Sequence, residues 1–249
     1  MTAGRLRLDQ ALVDRGFFAS RARAQGAIAA GLVTIDGRAA IKPATPVAPG
    51  AQVDVDGDVH DYVSRGGVKL AAALERFAVA ADGKVCLDLG ASTGGFTEVL
   101  LRAGAAKVFA VDVGRGQINA RIAADPRVVS LEGTHAKVLS RSLIPDLIDV
   151  IVADVSFISL RKALPPALAL AAPNARLVAL VKPQFEVGPE GIGKGGLVKE
   201  GETVGPRIAA DIAAWLDAEH GFAALGLIES PITGGDGNRE FLIGAHRPA

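Results

Sequence analysis

At 249 residues, 49% of them apolar, the chain is long enough for one good-sized domain plus a small one, and too apolar for broad disorder. Its 27 basic and 27 acidic residues cancel, and a single cysteine, Cys86, excludes an internal disulfide and a cysteine-based metal cluster. No apolar run approaches the ~20 residues that span a bilayer, and the first 14 residues carry Arg5, Arg7, Asp9 and Asp14 where a signal peptide would be apolar. A cytoplasmic protein without membrane contact, bound metal or obligate protein partner is expected.

The charge is uneven along the chain. Residues 1–42 hold seven basic and three acidic residues, a balance of +4 that the remainder offsets with −4. Residues 6–14 and 20–30 show helical periodicity, with Ser20 placed as an N-cap and Gly31 as a stop. A strand at 32–35 runs into the turn pair Asp36-Gly37, and further short strands are expected over 47–55. Arg21 and Arg23 open the second helix, where positive charge at a helix N-terminus suits phosphate contacts that position rather than specify. The pattern Arg7-Leu8-Asp9, Ser20 to Ala24 and Gly31 to Gly37 resembles the small RNA-binding module shared by a ribosomal small-subunit protein, pseudouridine synthases and tyrosyl-tRNA synthetases. The resemblance places RNA on the basic face of the second helix. Residues 56–62 are short and acidic, a linker between a domain at 1–60 and another at 61–249.

The second domain opens with Ser64-Arg65-Gly66-Gly67-Val68-Lys69-Leu70, read as the start of a helix to about Phe77. Strands are then expected at 85–89, 107–111, 128–131, 147–153, 177–181, 223–228 and 241–244, with helices at 96–102, 115–123, 160–171 and 208–219. This alternation predicts an α/β fold, a Rossmann-like, doubly wound, mostly parallel sheet, behind a small α+β domain. Ligands of such sheets lie outside the carboxyl ends of the strands, where Asp88, Asp112, Asp154 and Lys182 all fall.

The stretch Asp88-Leu89-Gly90-Ala91-Ser92-Thr93-Gly94-Gly95-Phe96 links the first of these strands to a helix. Glycines there let backbone N–H groups approach a ligand at a helix N-terminus. Gly90 and Gly95 fit the outer positions of a dinucleotide loop, but Ser92 replaces the middle glycine that admits a pyrophosphate. Asp88 favours a cationic ligand and Asp112 suits ribose hydroxyls, so S-adenosylmethionine is preferred to a nicotinamide cofactor.

Five ordered stretches, at 62–70, 88–97, 153–160, 181–188 and 237–242, together with the N-terminal module, resemble the TlyA family of hemolysin-A-type rRNA 2′-O-methyltransferases. The catalytic half is similar to the FtsJ/RrmJ heat-shock methyltransferases. The resemblance implies a class I methyltransferase using S-adenosylmethionine on the ribose of a cytidine, with ribosomal RNA or a ribosomal subunit as partner. It implies a catalytic tetrad of Lys69, Asp154, Lys182 and Glu240, in which Lys182, crowded by Lys69, activates the hydroxyl. It adds Arg65 to Arg7, Arg21 and Arg23 as RNA contacts, and Asp154 to the cofactor set. Two departures stand out: Gly133-Thr134-His135-Ala136-Lys137 replaces the family's usual Arg-Thr-Asn-x-Arg, and the chain stops eight residues after Phe241. The short end resembles members acting on large-subunit RNA. Rival readings are a hemolysin-like membrane-active protein and a non-catalytic ribosome assembly factor. The glycine-rich stretch 191–196 is expected to be a mobile loop over the substrate.

Overall fold

The structure, a computed structural model, describes residues 5–18, 20–29, 31–55 and 62–248. The acidic linker expected at 56–62 lies outside the described residues except for Tyr62. The chain forms two compact units, Met1–Asp61 and Tyr62–Ala249.

The first unit joins β1 (Leu6–Arg7), α1 (Leu8–Asp14), α2 (Arg21–Ala29), β2 (Val33–Ile35), β3 (Arg38–Ala39), β4 (Pro46–Val47) and β5 (Val53–Val55). Ser20 caps α2 through its Oγ, which accepts from the Arg23 N–H at 3.4 Å. Asp36 and Gly37 both take positive φ, 49° and 74°, so the turn follows the right-handed twist of its strands and pairs Ile35 with Arg38. Leu8, Leu12, Ile28 and Val33 are fully buried at the centre.

The second unit is built on a seven-stranded sheet. Its elements are α3 (Gly66–Arg76), β6 (Val85–Leu89), α4 (Gly95–Arg102), β7 (Lys107–Asp112), α5 (Ala120–Ala123), β8 (Val128–Glu132), β9 (Ile148–Ala153), α6 (Leu160–Leu168), β10 (Ala171–Val181), α7 (Gly201–His220), β11 (Ala223–Glu229) and β12 (Phe241–His246). The strand order is β11-β12-β10-β9-β6-β7-β8, and only the pairs that β12 makes are antiparallel. Neighbouring residues along the central strands point to opposite faces. Leu87, Ile151 and Leu177 join the core under α6 and α7, while Cys86, Val150 and Val178 join the core under α3 and α4. Burial pushes the Cys86 thiol up to about 12, consistent with a packing role.

Three expected elements depart furthest from their expected bounds. The helix expected at 115–123 shrinks to α5, because the Glu132 carboxylate accepts the N–H groups of Gly116, Gln117 and Ile118 and holds them in a loop. The strand expected at 177–181 starts at Ala171, with a register irregularity before Arg176 where Asn174 takes φ 63°. The last long helix begins seven residues early, at Gly201, and tolerates Pro206 inside it. Among the described residues, no helix is long and apolar enough to cross a membrane, and no group of potential metal ligands is gathered.

Candidate active site

The strand order reverses between β6 and β9, and their carboxyl ends open a crevice where such sheets bind ligands. Gly90, directly after β6, has φ 88°, and a Cβ there would lie 2.4 Å from the Asp154 carbonyl oxygen. Only glycine lets the loops after β6 and β9 approach this closely. The Asp154 N–H donates to the Leu89 carbonyl at 2.9 Å, fixing the second loop to the first strand. Ser92 adopts φ 47°, and its N–H donates to Asp112 Oδ2 at 2.8 Å. The Thr93 carbonyl accepts from the Asn119 N–H at 3.1 Å. Gly94 precedes α4 and Gly95 begins it; a Cβ on Gly95 would sit 2.1 Å from Ser64 Oγ. Phe96 turns away from this loop into the core beneath α3 and α4.

Two carboxylates frame the loop. Asp88 is wholly buried; its Oδ2 accepts from the Thr97 hydroxyl at 2.6 Å, whereas Oδ1 has no partner. Burial pushes its carboxyl up to about 7, with the Asp154 and Asp112 charges adding to the effect. An acid so placed favours a positively charged ligand, whose approach would relieve both the orphaned oxygen and the repulsion. Asp112, expected to suit ribose hydroxyls, also accepts from the backbone: Ser92 N–H meets Oδ2 and Gly114 N–H meets Oδ1 at 2.7 Å. Each oxygen keeps a second lone pair, so the carboxylate is oriented rather than consumed. The altered stretch at 133–137 lies beside it, since the Thr134 N–H donates to the Asp112 carbonyl at 2.8 Å. His135 caps a short turn there through its Nδ1, 3.2 Å from the Lys137 N–H.

Four charged residues from four separate segments meet at the same end of the sheet. Lys69 comes from α3, Asp154 follows β9, Lys182 follows β10, and Glu240 precedes β12, whose Phe241 pairs with Val181. Lys69 donates to Glu240 Oε2 in a buried ion pair, the side chains 9% and 3% exposed. The Lys182 ammonium sits 2.7 Å from Asp154 Oδ1, an ionic contact outside hydrogen-bond angles, and donates to Ser156 Oγ at 2.8 Å. Each ammonium is met by its own carboxylate, a pairing that the expected crowding of Lys182 by Lys69 did not include.

Several features around the site were not legible in the sequence. Phe157 is 90% exposed at φ 64°, a strained conformation for an aromatic residue, with its ring 5.0 Å from that of Phe185. Glu98 is buried on α4, accepting from the Val63 N–H at 2.6 Å, from Arg102 at 2.8 Å and from Arg121 at 2.5 Å. An acid in the first turn of a helix reads as solvated, so no local pattern marks it. The glycine-rich stretch is folded rather than open: Ile192 bridges Val198, and Asn238 accepts from the Val198 N–H at 2.9 Å and donates to the Gly196 carbonyl at 3.0 Å. Arg65 donates to the Thr233 carbonyl at 2.7 Å. Arg7 and Arg21 are half-exposed and share the buried Asp9 carboxylate, while Arg23 lies on the exposed side of α2.

Comparison with known proteins accounts for both units. Residues 62–247 match the FtsJ-like methyltransferase family model, and residues 6–53 match the S4 domain. The 16S/23S rRNA (cytidine-2′-O)-methyltransferase TlyA of Mycobacterium tuberculosis is 47% identical over 97% of this chain and 90% of its own length. The 23S rRNA (cytidine-2′-O)-methyltransferase TlyA of Campylobacter jejuni is 34% identical over 72% of this chain and 69% of its own. A solved structure from Streptococcus thermophilus, described as a candidate hemolysin, is 37% identical with a TM-score of 0.75 over 98% of this chain and 89% of that one. Matched along nearly its whole length, the chain belongs to the TlyA family, an S4 domain followed by an FtsJ-like methyltransferase domain.

Proposed function

We propose that this protein methylates the ribose 2′-hydroxyl of a cytidine in ribosomal RNA with S-adenosylmethionine, acting in the cytoplasm. Large-subunit RNA is the substrate common to the names of both relatives. The observation that carries the reading is the pairing of Lys69 with Glu240 and of Lys182 with Asp154 beside the β6–β9 crevice.

The crevice fits the cofactor on two counts. Asp88 Oδ1 is a buried acceptor without a donor, and the bend at Gly90 leaves no room for a Cβ. Asp88, Asp154 and the 90–95 backbone would hold the amino-acid portion, and Asp112 the ribose. When bound, the sulfonium supplies an electrophilic methyl group. The transfer is an in-line displacement at carbon, so positioning and electrostatics supply most of the acceleration.

Lys182 acts on the 2′ oxygen, holding it and balancing the charge that grows as its proton leaves toward the Lys182–Asp154 pair. Ser156 and Asp154 fix the ammonium from two sides, at 2.8 and 2.7 Å. Lys69 and Glu240 brace the neighbouring wall of the crevice. Phe157 offers an open ring face next to Ser156, suited to stacking on an unpaired base. In the N-terminal unit, Arg7, Arg21 and Arg23 supply sequence-independent phosphate contacts, and Arg65 adds another in the second unit.

Labelled methyl groups should enter undermodified large-subunit RNA in the presence of the purified protein, at one cytidine ribose located by mass spectrometry. Absence of transfer to either ribosomal RNA or either subunit would sink the reading. Equal rescue of a deletion strain by wild type and Lys182→Ala would replace it with an assembly role.

A further inference from the structure

Asp9 occupies the first turn of α1 and is fully buried although it carries charge. A buried carboxylate is strongly unfavourable unless it is paired and its lone pairs are filled. Here the filling comes from side chains at two helix starts. Arg7 donates side-on, Nε to Oδ1 at 3.0 Å and Nη2 to Oδ2 at 3.2 Å. Arg21 Nη2 donates to Oδ2 at 2.8 Å, and Gln25 Nε2, one turn further along α2, to the same oxygen at 2.7 Å. These contacts, the Arg7 bond foremost, hold the Asp9 carboxyl well below the usual carboxylate range. Both arginine side chains remain half-exposed, at 49% and 53%. Asp9 takes up only part of each guanidinium fork, and neither Nη1 group is used by it.

We propose that Asp9 is a positioning residue that locks Arg7 and Arg21 into one rigid pair of guanidinium edges for adjacent RNA phosphates. The inference rests on the proposed RNA-binding role of these arginines and adds how they are aimed. A free arginine loses rotamer freedom when it grips a phosphate, and that cost is met here within the folded protein. The cluster keeps a net charge of +1, enough for phosphate attraction, and the half-exposed guanidinium groups keep the N–H groups that Asp9 leaves unused for contacts with phosphate oxygens.

The proposal and a plain charge effect predict opposite signs. Asp9→Asn raises the net charge by one, so charge alone predicts tighter binding, most clearly at low salt. Positioning predicts binding to undermodified large-subunit RNA weakened by about tenfold, with the loss in KM for RNA rather than in kcat. Arg21→Lys keeps the charge at a half-exposed position, where folding is not threatened, but replaces the fork with a point charge; it should weaken binding nearly as much as Arg21→Ala. Thermal unfolding of each variant identifies any loss due to misfolding, and Arg21→Lys then decides. If Arg7→Ala/Arg21→Ala binds RNA as wild type does, the RNA-binding role of the arginines falls. If that double variant binds weakly while Asp9→Asn and Arg21→Lys match or exceed wild type, the arginines bind RNA but Asp9 does not position them, and the inference is overturned.

Discussion

The two lysine–carboxylate pairs at the crevice use the same chemistry in different settings. Lys69–Glu240 is sealed, with side chains 9% and 3% exposed, and its partners come from a helix and from the residue just before an antiparallel strand. Lys182–Asp154 is more open, at 12% and 21%, and shares its ammonium with a serine on a loop that also presents an exposed phenylalanine. A sealed ion pair ties elements together and cannot reach a macromolecular substrate without moving. An open one can hold a hydroxyl oxygen while staying oriented. The difference in exposure suits the sealed pair to the bracing role and the open pair to the reacting role proposed for them, although a sequence motif lists all four residues as equals.

Removing the open lysine should have the largest effect on activity and a small one on stability. Lys182→Ala deletes the group proposed to act on the 2′ oxygen, and about 10²- to 10⁴-fold of kcat should go with it. The side chain borders the crevice, so the melting temperature should move by only a few degrees. A comparably active Lys182→Ala enzyme in single-turnover methyl transfer would end its assignment as the reacting group.

The sealed pair should show the reverse balance. Lys69→Met leaves Glu240 buried without its partner, at a cost of about 3–5 kcal/mol. Lys69→Met/Glu240→Leu removes both charges and should recover most of that loss. Urea unfolding of the two variants measures the coupling. Equal destabilisation by the single and double changes would show that the pair does not brace the fold.

Much of this arrangement is legible in the sequence, for reasons that can be named. The parallel strands are continuous apolar runs that end in a charge, so Asp88, Asp112, Asp154 and Lys182 mark the carboxyl end of the sheet within the sequence itself. The turn at Asp36-Gly37 is likewise local chemistry. Pairing is different, because it depends on which distant segments become neighbours. Nothing near Lys69 says that Glu240 lies against it, since the antiparallel insertion of β12 beside β10 decides that. Glu132 is illegible for the same reason: it reads as a strand-end charge, yet it captures three N–H groups and dissolves most of an expected helix.

Asp88 sharpens the comparison from the cofactor side, because it is a buried carboxylate without a lysine. Burial pushes its carboxyl up to about 7 in the native protein, against an ordinary 3.8 in the unfolded chain. Between those values the native state holds a proton that the unfolded state has lost. Its contribution to stability is therefore complete below about pH 4, falls by about 1.4 kcal/mol per pH unit as pH rises, and is gone above about 7. Asp88→Asn should flatten the decline in melting temperature between pH 4.5 and 7.5 relative to wild type. The same variant should weaken S-adenosylmethionine binding, and wild-type affinity should rise as pH passes through 7. Parallel stability profiles for the two proteins would show that Asp88 does not titrate in this window.

The smallest expected effect isolates the serine that distinguishes the open pair from the sealed one. Ser156 accepts one hydrogen bond from Lys182 at 2.8 Å, and Asp154 holds the same ammonium at 2.7 Å without a well-angled bond. Ser156→Ala should leave the ion pair in place and free the ammonium to swing about it. One such hydrogen bond is worth about 0.5–1.5 kcal/mol, so kcat should fall by roughly 2- to 10-fold. Unfolding should be unchanged, since the hydroxyl is not part of the core. The result also tests where orientation comes from. If Ser156→Ala costs as much as Lys182→Ala, the lysine works only when held from both sides, and the Asp154 contact by itself does not aim it. If Ser156→Ala costs nothing, the ion pair alone is sufficient, and the open and sealed pairs differ in access rather than in the number of groups that hold them.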